Sequence, residues 1–235
     1  EWRVINAADY GNAQRRRRVF IFGYRQDLNY SNQISEELLE DIVYKKGMFA
    51  QAFPIESEPN KNRIAQTRIW NNIVDVSDNF KFQFYNSGIM RNGKILTIDT
   101  IPKYEKARTL QEIIEENVDA SYSLSKEQIE KFRYLRGPKK IKRTTKEGHE
   151  YYFSEGGMSE TDSLDLPART MLTSEGSVNR STHFLNIDDT YRTLTPVEAE
   201  RLNGFPDDWT DTMPDRMRFF CMGNALVVPL SLIHI

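Results

Sequence analysis

The chain has 235 residues, 39% of them hydrophobic and 11% aromatic, which is enough apolar material for one large domain or two small ones. Its 28% charged residues nearly cancel to a net −2, so any nucleic-acid surface must come from local clustering rather than from a global basic excess. A single cysteine, Cys221, excludes an intramolecular disulfide, the three histidines (His149, His183, His234) lack zinc-type spacing, and nothing resembles a signal peptide or a bilayer span, so an intracellular, metal-free protein is expected.

The chain opens on Glu1 rather than methionine, and EWRVINAADYG reads as if it enters mid-strand, so an N-terminally incomplete chain is expected. Trp2 to Ile5 is a strand candidate, followed by a turn region. In QRRRRVFIFGYR, Gln14 to Arg25, an extended backbone puts Gln14, Arg16 and Arg18 on one face and Arg15 and Arg17 on the other. Two guanidinium forks beside an amide suit a planar or anionic ligand at a sheet end; a basic surface strand is the plainer reading. Arg18 to Tyr24 predicts a continuous apolar strand of the kind found inside covered sheets.

From Ser35 a helix is predicted, with Ser35 as N-cap, Leu38, Leu39, Ile42 and Val43 at helical spacing, and Gly47 as the stop. Phe49 to Pro102 reads as polar and irregular, apart from a hairpin turning at Asn92 and Gly93. TLQEIIEENV predicts a helix to about Glu116, and Ser125 with Gln128 a capping box that opens another. Arg136 to Phe153 is the densest basic run and folds back at Gly148 into an aromatic arm. Farther on, Thr195 caps a compact helix, Pro196 takes its first position, Glu198 closes the box and Gly204 ends it.

Three separated stretches, ADYGNAQRRRRVFIFG, RTLTPVEAERLNGFPDDW and FFCMGNALVVP, then need one explanation. In this order, with a long insert between the first two, they closely resemble the C-terminal half of the C5-cytosine DNA methyltransferase family. They correspond to its Gln-x-Arg-x-Arg motif, its Arg-x-Leu-Thr-x-x-Glu-x-x-Arg-x-x-Gly-Phe-Pro motif and its closing Gly-Asn-(Ala/Ser) motif. The insert is where that family keeps its target-recognition domain. The resemblance implies a monomeric cytoplasmic enzyme of a bacterial or phage-infected cell, acting on double-stranded DNA in restriction-modification. It would transfer a methyl group from S-adenosyl-L-methionine to C5 of a flipped cytosine in a specific short sequence. Arg16 and Arg18 would hold that cytosine and the adjacent backbone, with Gln14 supporting the loop, because a positioned guanidinium favours negative charge developing on the ring. Arg15 and Arg17 fall to phosphate or solvent. Gly223, Asn224 and Ala225 would line the S-adenosylmethionine pocket, and the helix carrying Glu198 and Arg201 would brace the recognition domain against the catalytic core.

The family's chemistry needs a cysteine thiolate that attacks C6, normally in a Pro-Cys-Gln context upstream of the arginine motif. This sequence has no Pro-Cys pair, and Cys221, between Phe220 and Met222, reads as a buried packing thiol. EENV, Glu115 to Val118, mimics the family's Glu-Asn-Val motif but follows the arginine motif instead of preceding it, so it reads as a helix end and Glu116 is not carried over. In the insert, Lys139, Lys140, Lys142, Arg143 and Lys146 beside Tyr151, Tyr152 and Phe153 are candidates for DNA backbone binding, a solvated hairpin being the plainer reading, and Arg169, Ser174, Asn179 and Arg180 lie on a glycine-bearing loop suited to reading base edges.

The expected fold is α/β. Residues 1–28 would form the edge of a Rossmann-like methyltransferase sheet, 29–185 a smaller mixed α+β target-recognition domain with connecting helices, and 186–229 the closing motifs. LSLIHI, 230–235, back-translates as a sequencing-adapter end and is expected to be read-through. The parent would be a DNA (cytosine-5-)-methyltransferase and this fragment alone inactive. The competing readings are a separately encoded, non-catalytic specificity half and, more weakly, the transfer-RNA-methylating branch of the family.

Overall fold

The computed structural model describes residues 1–56, 63–68, 72–79 and 83–232. Contacts divide the chain into two compact units, one of Glu1–Gly11 and Arg16–Lys106, the other of Asn12–Arg15 and Ala107–Ser231. The class is mixed α/β.

The first unit is built on a five-stranded antiparallel sheet. Its strands are β1 (Trp2–Asn6), β2 (Arg17–Ile21), β3 (Ile64–Arg68), β4 (Ser87–Arg91) and β5 (Lys94–Ile98), in the order β2-β1-β4-β5-β3. The predicted hairpin is present between β4 and β5: Asn92 and Gly93 take φ of 51° and 73°, the left-handed pair that a two-residue hairpin turn requires. Short helices follow β2: α1 (Asn29–Ile34), α2 (Leu39–Asp41) continuing into a π-helical turn (Ile42–Lys46), and α3 (Met48–Ala52); α4 (Ile73–Asn79) follows β3. Ile34, Ile42 and Val43 from this helical layer bury against Ile89, Leu96 and Ile98 of the hairpin. Arg3 fastens the layer from β1. Its buried guanidinium donates to the carbonyls of Val43 (2.6 Å), Phe49 (2.9 Å) and Phe53 (2.7 Å), which satisfies acceptors that such short helices leave open. Burial lowers the Arg3 pKa to about 10.

Three expectations change here. Ser35 does not open a helix: its hydroxyl donates back to Asn32 O (2.9 Å), closing α1, and the next helical turn starts only at Leu39. β2 is not a covered strand. β1 already pairs with β4 on its other side, so β2 stands at the end of the sheet, with Val19 59% and Ile21 80% exposed. Phe49 to Pro102 is more ordered than its composition suggested, carrying α3, β3, α4, β4 and β5; 57–62, 69–71 and 80–82 of it lie outside the described residues. Because β1 pairs with β4 (Trp2 opposite Gly88, Arg3 opposite Ser87), the division between the two units falls after Lys106.

The second unit holds α5 (Lys126–Arg136), the hairpin β6 (Lys139–Thr144) and β7 (Glu150–Glu155), the hairpin β8 (Leu185–Ile187) and β9 (Thr190–Arg192), and helices α6 (Pro196–Asn203), α7 (Asp215–Asn224) and α8 (Val228–Leu232). Both predicted capping boxes form, at Ser125 with Gln128 and at Thr195 with Glu198, and Gly204 closes α6 in the left-handed region at φ 77°. One core cluster joins Ala13, Leu110, Ile113, Ala168, Leu185, Leu194 and Leu202; another joins Met171, Ala199, Phe219 and Met222.

The predicted helix through TLQEIIEENV is absent. Leu110 N donates to Leu166 O (2.9 Å) and Gln111 N to Leu164 O (2.8 Å), so backbone groups that would build a helix are spent on a distant segment. Leu110 and Ile113 still point into the core, from a turn. Leu230 and Ser231 of LSLIHI are helical, and 233–235 lie outside the described residues. Among the described residues no helix is long and apolar enough to cross a membrane.

Candidate functional site

The arginine motif begins as the alternation predicts. Gln14 is fully buried in the second unit: its Nε2 donates to Leu202 O (3.4 Å) and Asn203 Oδ1 (3.3 Å), and its Oε1 accepts from Met171 N (2.9 Å). Backbone bonds of Arg15 N to Ala168 O and of Ala168 N to Ala13 O, both 2.8 Å, place this segment beside 168–171. The Gln14 amide therefore clamps α6 to the start of the glycine-bearing loop. Arg16, in the first unit, is buried, and its carbonyl accepts from Ala7 N (3.0 Å). Burial, with the Arg18 charge adding to it, lowers its pKa to about 10. Arg15 and Arg17 are exposed. The alternation ends at Arg18, which is also exposed and donates from Nη1 to Arg17 O (2.8 Å).

The loop from Leu172 to His183 holds itself together. Asn179 Oδ1 accepts from Ser181 N (2.8 Å) and Thr182 N (3.1 Å), while its Nδ2 donates to Ser174 O (3.2 Å) and Ser177 O (3.3 Å). Arg180 donates to the carbonyls of Leu135 (2.7 Å) and Gly156 and pairs with Glu155 (3.2 Å). Arg169 pairs with Asp162, which also receives Arg136 Nη2 (2.7 Å) and Phe184 N (2.9 Å). Of the four loop residues proposed from sequence, Arg169, Asn179 and Arg180 thus commit polar atoms to the unit itself; Ser174 is exposed, as are Thr173 and Ser177, although Ser177 Oγ donates to Ser174 O (2.8 Å). Burial alone would raise the Asp162 pKa, but hydrogen bonds from Arg169 and Arg136, with the charge of Arg169, hold it well below the usual carboxylate range. A depressed carboxylate contributes stability above its unfolded pKa, 3.8, which is lost as pH falls toward the folded value. Asp162→Asn is expected to cost about 2 kcal/mol at pH 7 and to flatten the loss of stability below about pH 4. Denaturant titrations of both proteins between pH 2 and pH 7 check this; parallel curves would refute it.

The β6–β7 hairpin interleaves charge with rings. Lys140 Nζ lies 5.0 Å from the Tyr152 ring centre, the Arg143 guanidinium 4.1 Å from that of Phe153 and Lys139 Nζ 4.9 Å from that of Tyr134. Lys142 pairs with Glu150 (2.6 Å), and Lys139 donates to Leu135 O (2.9 Å). Lys140 and Arg143 therefore keep exposed positive charge on stacked, preorganised stems.

The closing motif sits at the end of a helix. Gly223 lies in the last turn of α7, and a Cβ there would fall 2.3 Å from Thr173 N and 2.5 Å from Leu172 C. That space is filled by backbone, and the missing side chain of Gly223 lets the loop approach α7. Asn224, exposed, donates from Nδ2 to Phe220 O (3.1 Å), and Ala225 is half-buried beside it, leaving these two within reach of a ligand. Cys221 is half-buried rather than fully buried, with Sγ 3.9 Å from Met213 S, because its side of α7 is only partly covered.

EENV is a brace. Glu115 N donates to Glu198 Oε1 (2.9 Å), and the Glu115 carboxylate accepts from the Thr195 hydroxyl. Sequence reasoning also missed a fully buried pair, Glu175 and His183, eight residues apart on the loop; no local spacing rule marks such a pair.

A family model described as C-5 cytosine-specific DNA methylase matches residues 1–233. The chain is 76% identical over 230 residues to the type II methyltransferase M.Sau3AI of Staphylococcus aureus, spanning 98% of this chain and 56% of that protein. It is 44% identical over 45 residues to the type II methyltransferase M.MthTI of Methanothermobacter thermautotrophicus, 19% of this chain and 14% of that one. Among solved structures, the Entamoeba histolytica methyltransferase EhMeth is 17% identical, covering 74% of this chain and 53% of its own, with a TM-score of 0.37. The S. pombe Dnmt2 methyltransferase is 12% identical, covering 60% and 48%, with a TM-score of 0.40.

Proposed function

Because this chain belongs to the C-5 cytosine-specific DNA methylase family, we propose that its parent protein methylates C5 of cytosine within a short double-stranded DNA sequence, in restriction-modification in the cytoplasm. The family match across nearly the whole chain carries this reading. S-adenosylmethionine would supply the methyl group as an electrophile. This chain contributes recognition and orientation. Arg16 and Arg18 hold the extruded base and the neighbouring backbone, and Gln14 supports the loop within its own unit. Lys140 and Arg143 of the hairpin meet phosphates, and the hydroxyls of Thr173, Ser174 and Ser177 face the bases, with Arg169, Asn179 and Arg180 acting as supports behind them. Asn224 and Ala225 edge the methyl donor. The attacking thiolate comes from outside these residues, since Cys221 packs among methionine and phenylalanine side chains.

The test is methyl transfer by the full-length protein, read as 5-methyl-2′-deoxycytidine in digested DNA. Methylation confined to one short sequence is expected, and Arg16→Ala should lower kcat about a hundredfold, the scale of losing one charge-stabilising donor. Methyl groups on an exocyclic nitrogen, or none in DNA, would refute the reading.

A further inference from the structure

We propose that Glu175 and His183 are positioning residues for sequence recognition: a buried clasp that sets the DNA-facing hydroxyls of the 172–183 loop without touching DNA. Both side chains are fully buried. A carboxylate in the middle of a surface loop is costly to bury unless its oxygens are used. Here one oxygen, Oε1, accepts from the backbone N of His183 and lies 2.8 Å from its Nδ1. The other accepts from Leu172 N (3.4 Å), on the opposite arm of the loop. Glu175 thus ties the ascending arm to the returning arm across the base of the segment that exposes Thr173, Ser174 and Ser177.

The returning arm is held independently just beyond. Thr182 O accepts from Arg136 Nη2 (2.7 Å) and Arg169 Nη2 (3.1 Å), and Phe184 N is held by Asp162. Removing the clasp should therefore leave the base of the loop in place and let the crest, which Asn179 still ties to Ser174 and Ser177, shift as a unit against it. The other imidazole nitrogen, Nε2, is buried with no hydrogen-bond partner among the described residues. His183 works through Nδ1 alone. Asparagine, whose short amide can place one polar atom near the Nδ1 position, should replace it, and leucine should not.

This inference rests on the proposed DNA methylation, so the experiment measures both. Full-length wild type, Glu175→Ala, Glu175→Gln, His183→Leu and His183→Asn are assayed for methyl transfer to the cognate sequence and to sequences altered at one base pair. Glu175→Ala and His183→Leu are expected to raise KM for DNA about tenfold and to cut cognate discrimination about tenfold, with kcat within about twofold, the scale of one lost base-pair preference. His183→Asn should discriminate like wild type, and Glu175→Gln should fall between. If Glu175→Ala does not fold, Glu175→Gln and His183→Asn decide. Discrimination unchanged in Glu175→Gln, failure of His183→Asn to keep it, or loss confined to kcat overturns the clasp. A wild type that makes no 5-methylcytosine overturns the proposed function and the clasp with it; an active wild type beside fully discriminating variants overturns the clasp alone.

Discussion

Glu198→Ala is expected to remove about 4 kcal/mol of stability, the scale of breaking a buried charge pair from one side. Glu198 is fully buried, and its two oxygens serve four donors: Arg192 Nη1 (2.8 Å) and Nη2 (2.6 Å), Thr195 N (2.9 Å) and Glu115 N (2.9 Å). Alanine leaves a buried guanidinium without its countercharge and two backbone N–H groups without acceptors, each of the latter costing about 1–3 kcal/mol where water cannot reach. Arg192 keeps one bond, to Thr193 O (2.9 Å), which limits the loss. Glu198→Gln should cost about half as much, because it keeps one acceptor oxygen. Denaturant unfolding of the three proteins measures this, and a loss below about 1 kcal/mol for alanine would show that α6 is not anchored there. The same motif supplies a contrast. Arg201 pairs with Asp207 on an exposed face, and such a pair is worth about 0–1 kcal/mol.

Where the deciding partners lie within a few residues, the sequence was legible. Thr195, Pro196, Glu198 and Gly204 define α6 within ten positions, and Asn92-Gly93 defines its hairpin by backbone conformation alone. Where the deciding partner is distant, it was not. TLQEIIEENV has helical spacing, yet its donors go to Leu164 and Leu166, roughly fifty residues on. The run Val19 to Phe22 is as apolar as a covered strand, and nothing local says that β2, which carries most of it, is the end of a sheet. The site divides in the same way. The buried and exposed alternation from Gln14 to Arg17 follows from extended backbone, whereas the inward turn of Arg180 depends on carbonyls at Leu135 and Gly156. Residue type marks this loop as donor-rich, but it does not say that Asn179 and Arg180 spend donors on carbonyls of their own unit while Ser174 stays exposed.

Gly223→Ala separates two explanations of the closing motif by the sign of one measurement. In an unobstructed helix the change would stabilise the protein by about 1 kcal/mol through backbone entropy. If Gly223 lined the methyl donor, that gain would appear without ligand and donor affinity would fall. The new Cβ would instead meet Thr173 N at 2.3 Å and Leu172 C and Thr173 Cα at 2.5 Å, all backbone, which no side-chain rotation relieves. Overpacking of this kind costs about 3 kcal/mol, outweighing the helical gain, so destabilisation without ligand is expected. Relief can come only by displacing 172–173, the foot of the loop that Glu175 ties. Discrimination between DNA sequences should therefore fall together with stability while donor affinity in the folded protein holds. Thermal unfolding without ligand and titration with S-adenosylmethionine read the two quantities separately. A stabilised variant with weakened donor binding would instead place Gly223 in the wall of the cofactor site.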